Sequence, residues 1–387
     1  MRDVKDAIIY KERDFCCEIE VYLDIIAEMH RIPFDYIRES LHGATIKPSA
    51  LLPLFKGYSS GTNEDVVRLT ELHAVPDRDE RSLYPDDPVK ACEMKKHDFG
   101  LVTAMFWPNA EFSRLVVCSY LILWLFLWDD EIDSVTGTRH SDLEAARRAH
   151  ADVVSYMSHC LQLDYGYPKV EPTDPLILLI KDIGDALCRE YDIGQREVVF
   201  EYMCLYIQGT EKEQRVDLEN TMPSTQEYLA IRRESSAVLL TLAMNDYSAS
   251  RRLPTKLRSH PAVRELYEQS NTAIAIGNDI LSVEKEFKDG ALLNYIPVAY
   301  SKIQDVQQAT DEAVITVGMA LRKFELAKEE LIHAAQKMGL PETEVHWFIE
   351  GCEYQMTGNV NWSLESGRYR GDVHSKWKLD ELPLKLE

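Results

Sequence analysis

Apolar residues recur at three- and four-residue intervals through most of this chain, the spacing that lines one face of an α-helix. Val314, Val317, Leu321, Phe324 and Leu331 make one such face. The pattern predicts helices near 98–106, 110–130, 141–162, 174–190, 194–210, 225–247, 261–288, 292–300, 308–338 and 342–366. Pro108, Pro168, Pro223, Pro254 and Pro341 fall between them, where a missing N–H and a fixed φ do least harm. Alternating Val/Ile/Thr runs with hairpin dipeptides, the mark of strands, are nearly absent. Residues 1–90 are less regular, with Pro48, Pro53, Pro76, Pro85 and Pro88 set among short apolar stretches. The expectation is an all-α protein, a single domain over 1–387 with many helices around an apolar centre, on which the N-terminal segment packs.

Composition narrows this picture. At 387 residues with 45% hydrophobic and 28% charged positions, the chain can bury a large core without staples. Its formal net charge of −22 argues against nucleic acid, whose phosphates call for clustered Lys and Arg. An acidic protein holding a polyanionic substrate would need cations as intermediaries. The eight cysteines contain no CxxC pair, so reduced thiols in a cytoplasmic protein are expected. The longest uncharged apolar run, Leu115 to Trp128, is fourteen residues, too short to span a bilayer and suited to a helix buried in protein.

That run ends in Asp129-Asp130-Glu131-Ile132-Asp133. Asp129 and Asp133, four residues apart, share one helix face about 6 Å apart along the axis. Their charges repel, and a helix C-terminus makes anions worse. An acid run most often marks a solvated helix end, but the apolar segment before this one implies burial. Hard oxygen donors there suit Mg²⁺, which takes one or two carboxylates plus phosphate oxygens. A second cluster follows the small, apolar stretch Ala273 to Gly277: Asn278, Ser282 and Glu286 recur every four residues. They lie on one slowly turning stripe within about 12 Å. Amide, hydroxyl and carboxylate supply oxygen donors without piling up charge, and Lys285 adds a cation that can reach a phosphate. Alone, such a stripe is more often incidental.

Together, D-D-x-x-D some 150 residues before N-D-x-x-S-x-x-K-E resembles the paired signature of class I terpene synthases, and of their fungal-type sesquiterpene cyclases in particular. The resemblance covers roughly residues 98 to 372. It implies a helical bundle around a central apolar cavity, with Asp129, Asp133, Asn278, Ser282 and Glu286 holding three Mg²⁺ against a substrate diphosphate. Trp362-Ser363-Leu364-Glu365-Ser366-Gly367-Arg368-Tyr369 looks like the family's W-(x)-R-Y ending, whose Arg and Tyr bind diphosphate, which makes 368–387 a lid or tail. Tyr228 to Ser236 resembles the segment of the diphosphate-sensing arginine: Arg232, 46 residues before Asn278, with Arg233 as the neighbouring alternative. Segment 225–247 would then break near Ser235-Ser236 and expose a backbone carbonyl to the substrate.

The implied chemistry is ionisation of a prenyl diphosphate, its leaving group neutralised by Mg²⁺, Arg232, Lys285, Arg368 and Tyr369, and cyclisation of the cation in a dry cavity. Phe126, one turn before Asp129, should face that cavity and stabilise carbocations by cation–π attraction. Trp362 and Phe106 are further candidates, for which core packing is the first reading. Farnesyl diphosphate is the expected substrate and a sesquiterpene hydrocarbon or alcohol the product. A diterpene synthase using geranylgeranyl diphosphate, a chain-elongating prenyltransferase and a non-catalytic scaffold are the alternatives; no membrane insertion is expected, and a homodimer is compatible. Gly57-Tyr58-Ser59-Ser60-Gly61 matches a hydrolase elbow, yet no strand–turn–helix context surrounds it.

Overall fold

The computed structural model describes residues 32–74, 96–132, 137, 139–370 and 384–387. The described residues are almost wholly helical. Helix α1 (Phe34–Leu41) is followed by strand β1 (Thr45–Ile46), then α2 (Phe99–Phe106), α3 (Phe112–Ile132), α4 (Leu143–Cys160), α5 (Ile180–Glu190) and α6 (Ile193–Glu219). Next come α7 (Thr225–Ser235), α8 (Val238–Ala243), α9 (Pro261–Asp289), α10 (Tyr295–Ile303), α11 (Val306–Lys337), α12 (Thr343–Glu365) and strand β2 (Leu384–Lys385), with a further helix at Val66–Ala74 and shorter helical turns between. The helices expected from apolar spacing are present at nearly the expected bounds.

Local chemistry fixes where they begin and end. Asp192 and Gln195 form a capping box at the start of α6, and Ser224 and Glu227 do the same for α7, each satisfying backbone donors that the first turn leaves unpaired. Helix α9 opens with Pro261 at its first position and stops at Gly290, whose φ of 89° is the left-handed conformation that glycine adopts without strain. Helix α3 is apolar all round because it is buried on several sides: Leu115, Cys118, Leu121, Trp124, Leu127 and Trp128 are all inaccessible. On α11, the predicted face of Val314, Val317, Leu321, Phe324 and Leu331 is buried.

Two apolar clusters result. One gathers α9, α10, α11, part of α12 and buried residues between Phe34 and Phe55; the other joins α2 to α6 and ends at Trp362. Sequence-distant ends also meet. Thr45 pairs with Lys385 and Ile46 with Leu384 in a two-residue antiparallel ladder, burying Leu384 and Leu386.

The differences from expectation have physical causes. Helix α6, expected to end at 210, continues to Glu219. Gly209 within it lets α7 approach: a Cβ there would lie 2.4 Å from the Ser235 backbone nitrogen. The 174–190 segment is jointed at Leu179. Segment 225–247, by contrast, breaks where the resemblance implied, at Ser236 and Ala237, where Ala237 takes φ 59°. The break is held from outside. Buried Asn271 of α9 donates to the Arg233 carbonyl at 2.8 Å and accepts from the Ser236 hydroxyl at 2.6 Å, supplying a carbonyl that the helix end leaves unpaired. The G-x-S-x-G match is a half-buried structural tie, because the Ser59 hydroxyl and amide both donate to Glu353, at 2.7 and 3.0 Å, and Lys328 pairs with the same carboxylate.

Two stability predictions follow from this packing. An exposed mid-helix Gly→Ala gains up to about 1 kcal/mol, but Gly209→Ala drives a methyl into the α7 backbone and should lose about 1–3 kcal/mol in denaturant unfolding; a gain would show that the two helices part freely. His150 is buried on α4 beside Trp128, its nearest carboxylate oxygen, on Glu211, 3.9 Å away. Burial, with Arg139 and Arg147 adding, pushes its pKa down to about 4 against the pull of Glu211. The folded state therefore favours the neutral ring, so stability present above pH 6.5 is lost as pH falls towards 4, by up to roughly 3 kcal/mol. His150→Phe should flatten that part of the stability–pH curve, read by chemical denaturation at each pH.

Candidate active site

A cavity of about 450 Å³ opens between α3, α6, the α7–α8 break, α9 and α12. Its lower wall is apolar, with Val102, Phe106, Ile122, Leu125, Val238 and Ile274 among the residues facing in. Its rim carries seven carboxylates, Asp129, Asp130, Glu213, Asp217, Asp279, Glu286 and Asp289, against three cations, Arg232, Lys285 and Arg368. The acid-rich end of α3 and the second half of α9 thus meet at one mouth, as the paired motifs imply.

Each rim cation is held by an acid that sequence reading left without a role. Arg232 forks onto Asp279, Nε and Nη2 lying 3.0 and 2.9 Å from one carboxylate oxygen. Asp279 also accepts from the Tyr228 hydroxyl at 2.5 Å and the Tyr295 amide at 3.2 Å. Arg368 reaches Asp130 at 3.3 Å and donates to His97 Nδ1 at 3.1 Å. Lys285 pairs with Asp289 at 2.9 Å. The predicted oxygen donors have lighter engagements. Asn278 accepts from Arg232 Nη2 at 3.2 Å and donates to the Tyr369 hydroxyl at 3.0 Å; Glu286 accepts from Asn294 at 2.8 Å; Asp129 has no cation within 4 Å among the described residues. Ser282 does not face the cavity. Its hydroxyl is fully buried beneath the rim with no hydrogen-bond partner among the described residues. Asp133 lies outside the described residues.

The crowding shows in the titration of these groups. Burial, then the charge of Asp130, raises the Asp129 carboxyl above its ordinary range, with Arg368 and Arg232 opposing and Glu286 adding across the cavity. Burial lifts Glu213 to about 7 and Asp279 to about 6, in both cases against Arg232. Burial, followed by Arg368, lowers His97 to about 4. Carboxyls held above their usual range are short of positive charge, and hard oxygen donors suit a divalent ion.

Of the two adjacent arginines, Arg232 faces the cavity and Arg233 turns away to a bidentate pair with Glu268. Phe126 faces the cavity one turn from Asp129, its ring stacked on Phe99 at 4.7 Å with the Arg368 guanidinium 4.8 Å from its centroid. Phe106 and Trp362 are buried and also line the cavity; the Trp362 indole donates to the His97 carbonyl at 2.9 Å. Ser235, Ser236 and Ala237 bring the helix break to the wall. Sequence reading missed Glu213, whose carboxylate accepts from the Ser235 hydroxyl at 2.5 Å, together with His97, Asn271 and Asn294. For Asp130 and Asp279 a signal existed: each directly follows a predicted ligand in its motif.

No helix among the described residues is long and apolar enough to cross a membrane. A family profile described as terpene synthase family 2, C-terminal metal binding, matches residues 120–323. The sesquiterpene cyclase hepA of Aspergillus oryzae is 29% identical over 328 residues, 82% of this chain and 87% of that one. Silphinene synthase peniA of Penicillium patulum is 25% identical, over 73% and 74% of the two chains. The crystal structure of α-eudesmol synthase superimposes with a TM-score of 0.69 at 20% identity, covering 80% of this chain and 98% of that one, a likeness of fold. The profile spans more than half of the chain, and its family is a metal-binding one, which implies use of a divalent metal. The chain belongs to terpene synthase family 2 and is a class I terpene synthase, a helical enzyme of terpene cyclisation.

Proposed function

We propose that the enzyme ionises farnesyl diphosphate with Mg²⁺ and cyclises the resulting cation to a sesquiterpene hydrocarbon or alcohol, releasing diphosphate. The observation that carries this reading is the excess of carboxylates over cations at the rim of an otherwise apolar cavity. A diphosphate would be repelled there unless divalent ions came with it. The donors at the rim fit such ions: Asp129, Asn278 and Glu286, joined by Asp133 from the sequence motif, offer hard oxygens. The Ser282 hydroxyl, buried without a partner among the described residues, would join them only by turning towards the cavity. When bound, three Mg²⁺ supply the positive charge that stabilises the departing diphosphate.

The chain's own residues do the rest. Arg232, fixed by Asp279, presents its remaining donors at the rim, where a planar fork matches phosphate oxygens. Lys285, Arg368 and Tyr369 surround the same opening and add donors. Phe126, Phe106 and Trp362 exclude water and offer ring faces to the cation. The break at Ser236 and Ala237 brings backbone dipoles to the wall near the ionising carbon. A cavity of about 450 Å³ lies in the lower part of the roughly 300–1,000 Å³ usual for small-molecule sites, which favours a C15 over a C20 chain. The relative hepA, named as a sesquiterpene cyclase, supports the same length.

Incubation with Mg²⁺ and the C10, C15 and C20 diphosphates, followed by gas chromatography, should give a cyclic product with C15. Diphosphate release without any cyclic terpene would overturn the cyclase reading, and a cyclic product from C20 alone would move it to a diterpene synthase. Asn278→Leu should lower turnover roughly a hundredfold or more while the helical circular dichroism stays unchanged. Retained turnover would exclude the second cluster from metal binding.

A further inference from the structure

The charged groups of the cavity lie at its rim, whereas the cation left by ionisation must travel along a hydrocarbon chain that fills the wall below. Among the polar groups of that wall, three are committed. The Tyr206 hydroxyl donates to the Leu125 carbonyl at 3.4 Å, Thr241 bonds Gln355 at 2.7 Å, and the Trp362 indole is held by the His97 carbonyl. Asn359 differs. It is 5% exposed and faces the cavity from α12, and its sole hydrogen bond among the described residues runs from Nδ2 to the Ile274 carbonyl at 3.4 Å. Turning the amide over would set oxygen against oxygen, so the nitrogen end belongs to Ile274. The amide oxygen is then left without a donor on the cavity side. Ile274 lies one helical turn, about 6 Å, deeper than Asn278, so this oxygen sits below the metal-binding level, beside the hydrocarbon.

Resting on the functional reading above, we propose that Asn359 is a specificity-determining residue. Its amide oxygen stabilises positive charge on the hydrocarbon in the apolar part of the cavity and so decides where the cation rests before it is quenched. A buried carbonyl with no hydrogen-bond donor is unfavourable, and an electron-deficient carbon offsets that loss with an ion–dipole attraction that low dielectric strengthens. A neutral amide suits this task better than a carboxylate. It is too weakly basic to take the proton early, and it carries no charge to combine with the cation.

The test compares wild type with Asn359→Leu, which keeps the volume and removes the dipole, and with Asn359→Ala, should the first fail to fold. Both are assayed with Mg²⁺ and farnesyl diphosphate for diphosphate release, for product profile by gas chromatography, and for melting temperature. Diphosphate release should stay within about threefold of wild type, because the rim is untouched, while the share of the main product falls at least about fivefold in favour of acyclic or less cyclised terpenes. A lowered melting temperature with wild-type product ratios would mean that the amide only braces α12 against α9, and would overturn the proposal. Wild type that releases no diphosphate from any prenyl diphosphate would overturn the functional reading itself, which is seen before any variant is compared.

Discussion

Carboxylates gathered at the edge of a greasy cavity repel one another, and the remainder of the active site is arranged around that repulsion. The structure separates the acids into two groups. Asp279, Asp130 and Asp289 each hold one rim cation, while the predicted ligands Asp129 and Glu286 pair with none. Helix geometry makes the division simple. Residues next to each other on a helix point about 100° apart, so Asn278 can face the mouth while Asp279 turns into the seam with α7, and Asp129 can do so while Asp130 meets the C-terminal segment. One helical step separates oxygen that awaits a divalent ion from oxygen that fixes an arginine. Neutralising only the second group leaves the site short of positive charge, which a metal–diphosphate complex would restore.

The position of Arg232 depends on backbone packing as much as on its ion pair. Helix α7 lies against α6 at Gly209, where α6 presents no side chain, and a methyl there would enter the α7 backbone. Immediately beyond that contact α7 ends, with Asn271 binding the carbonyl of Arg233 and the hydroxyl of Ser236. The left-handed Ala237 costs about 1–2 kcal/mol relative to helical backbone, and the contacts on both sides of it keep it there. Arg232 is therefore delivered to the rim by a helix clamped at its last turn, and the wall below begins on a new helix with its own direction.

These facts explain what could and could not be read in the chain. The long helices were legible because each buries a continuous apolar face, and both metal motifs were legible because ligand spacing is local on a helix. The length of α6 was not, since a glycine that permits close packing looks like one that ends a helix. The choice between Arg232 and Arg233 needed Glu268, 35 residues away. The pairing of β1 with β2 joins residues about as far apart as the chain allows, and four residues carry no period to announce it. Glu213 and His97 belong to no motif; only burial beside the cavity marks them.

The aromatic residues expose a limit of sequence reasoning that is physical in origin. Core packing and cavity lining are alternatives for Phe106 and Trp362 only if the cavity is something other than the core. Here it is the inner face of the core, and Trp362 is 1% exposed while still forming part of the wall. A cavity that excludes water must be lined by the residues that would otherwise fill it. The rim therefore announces itself through charge that packing alone would not tolerate, whereas the wall looks like any buried helix face. Reaction class follows from the rim and could be read early. The path of the cation follows from the shape and dipoles of the wall, and those exist only after the helices have assembled.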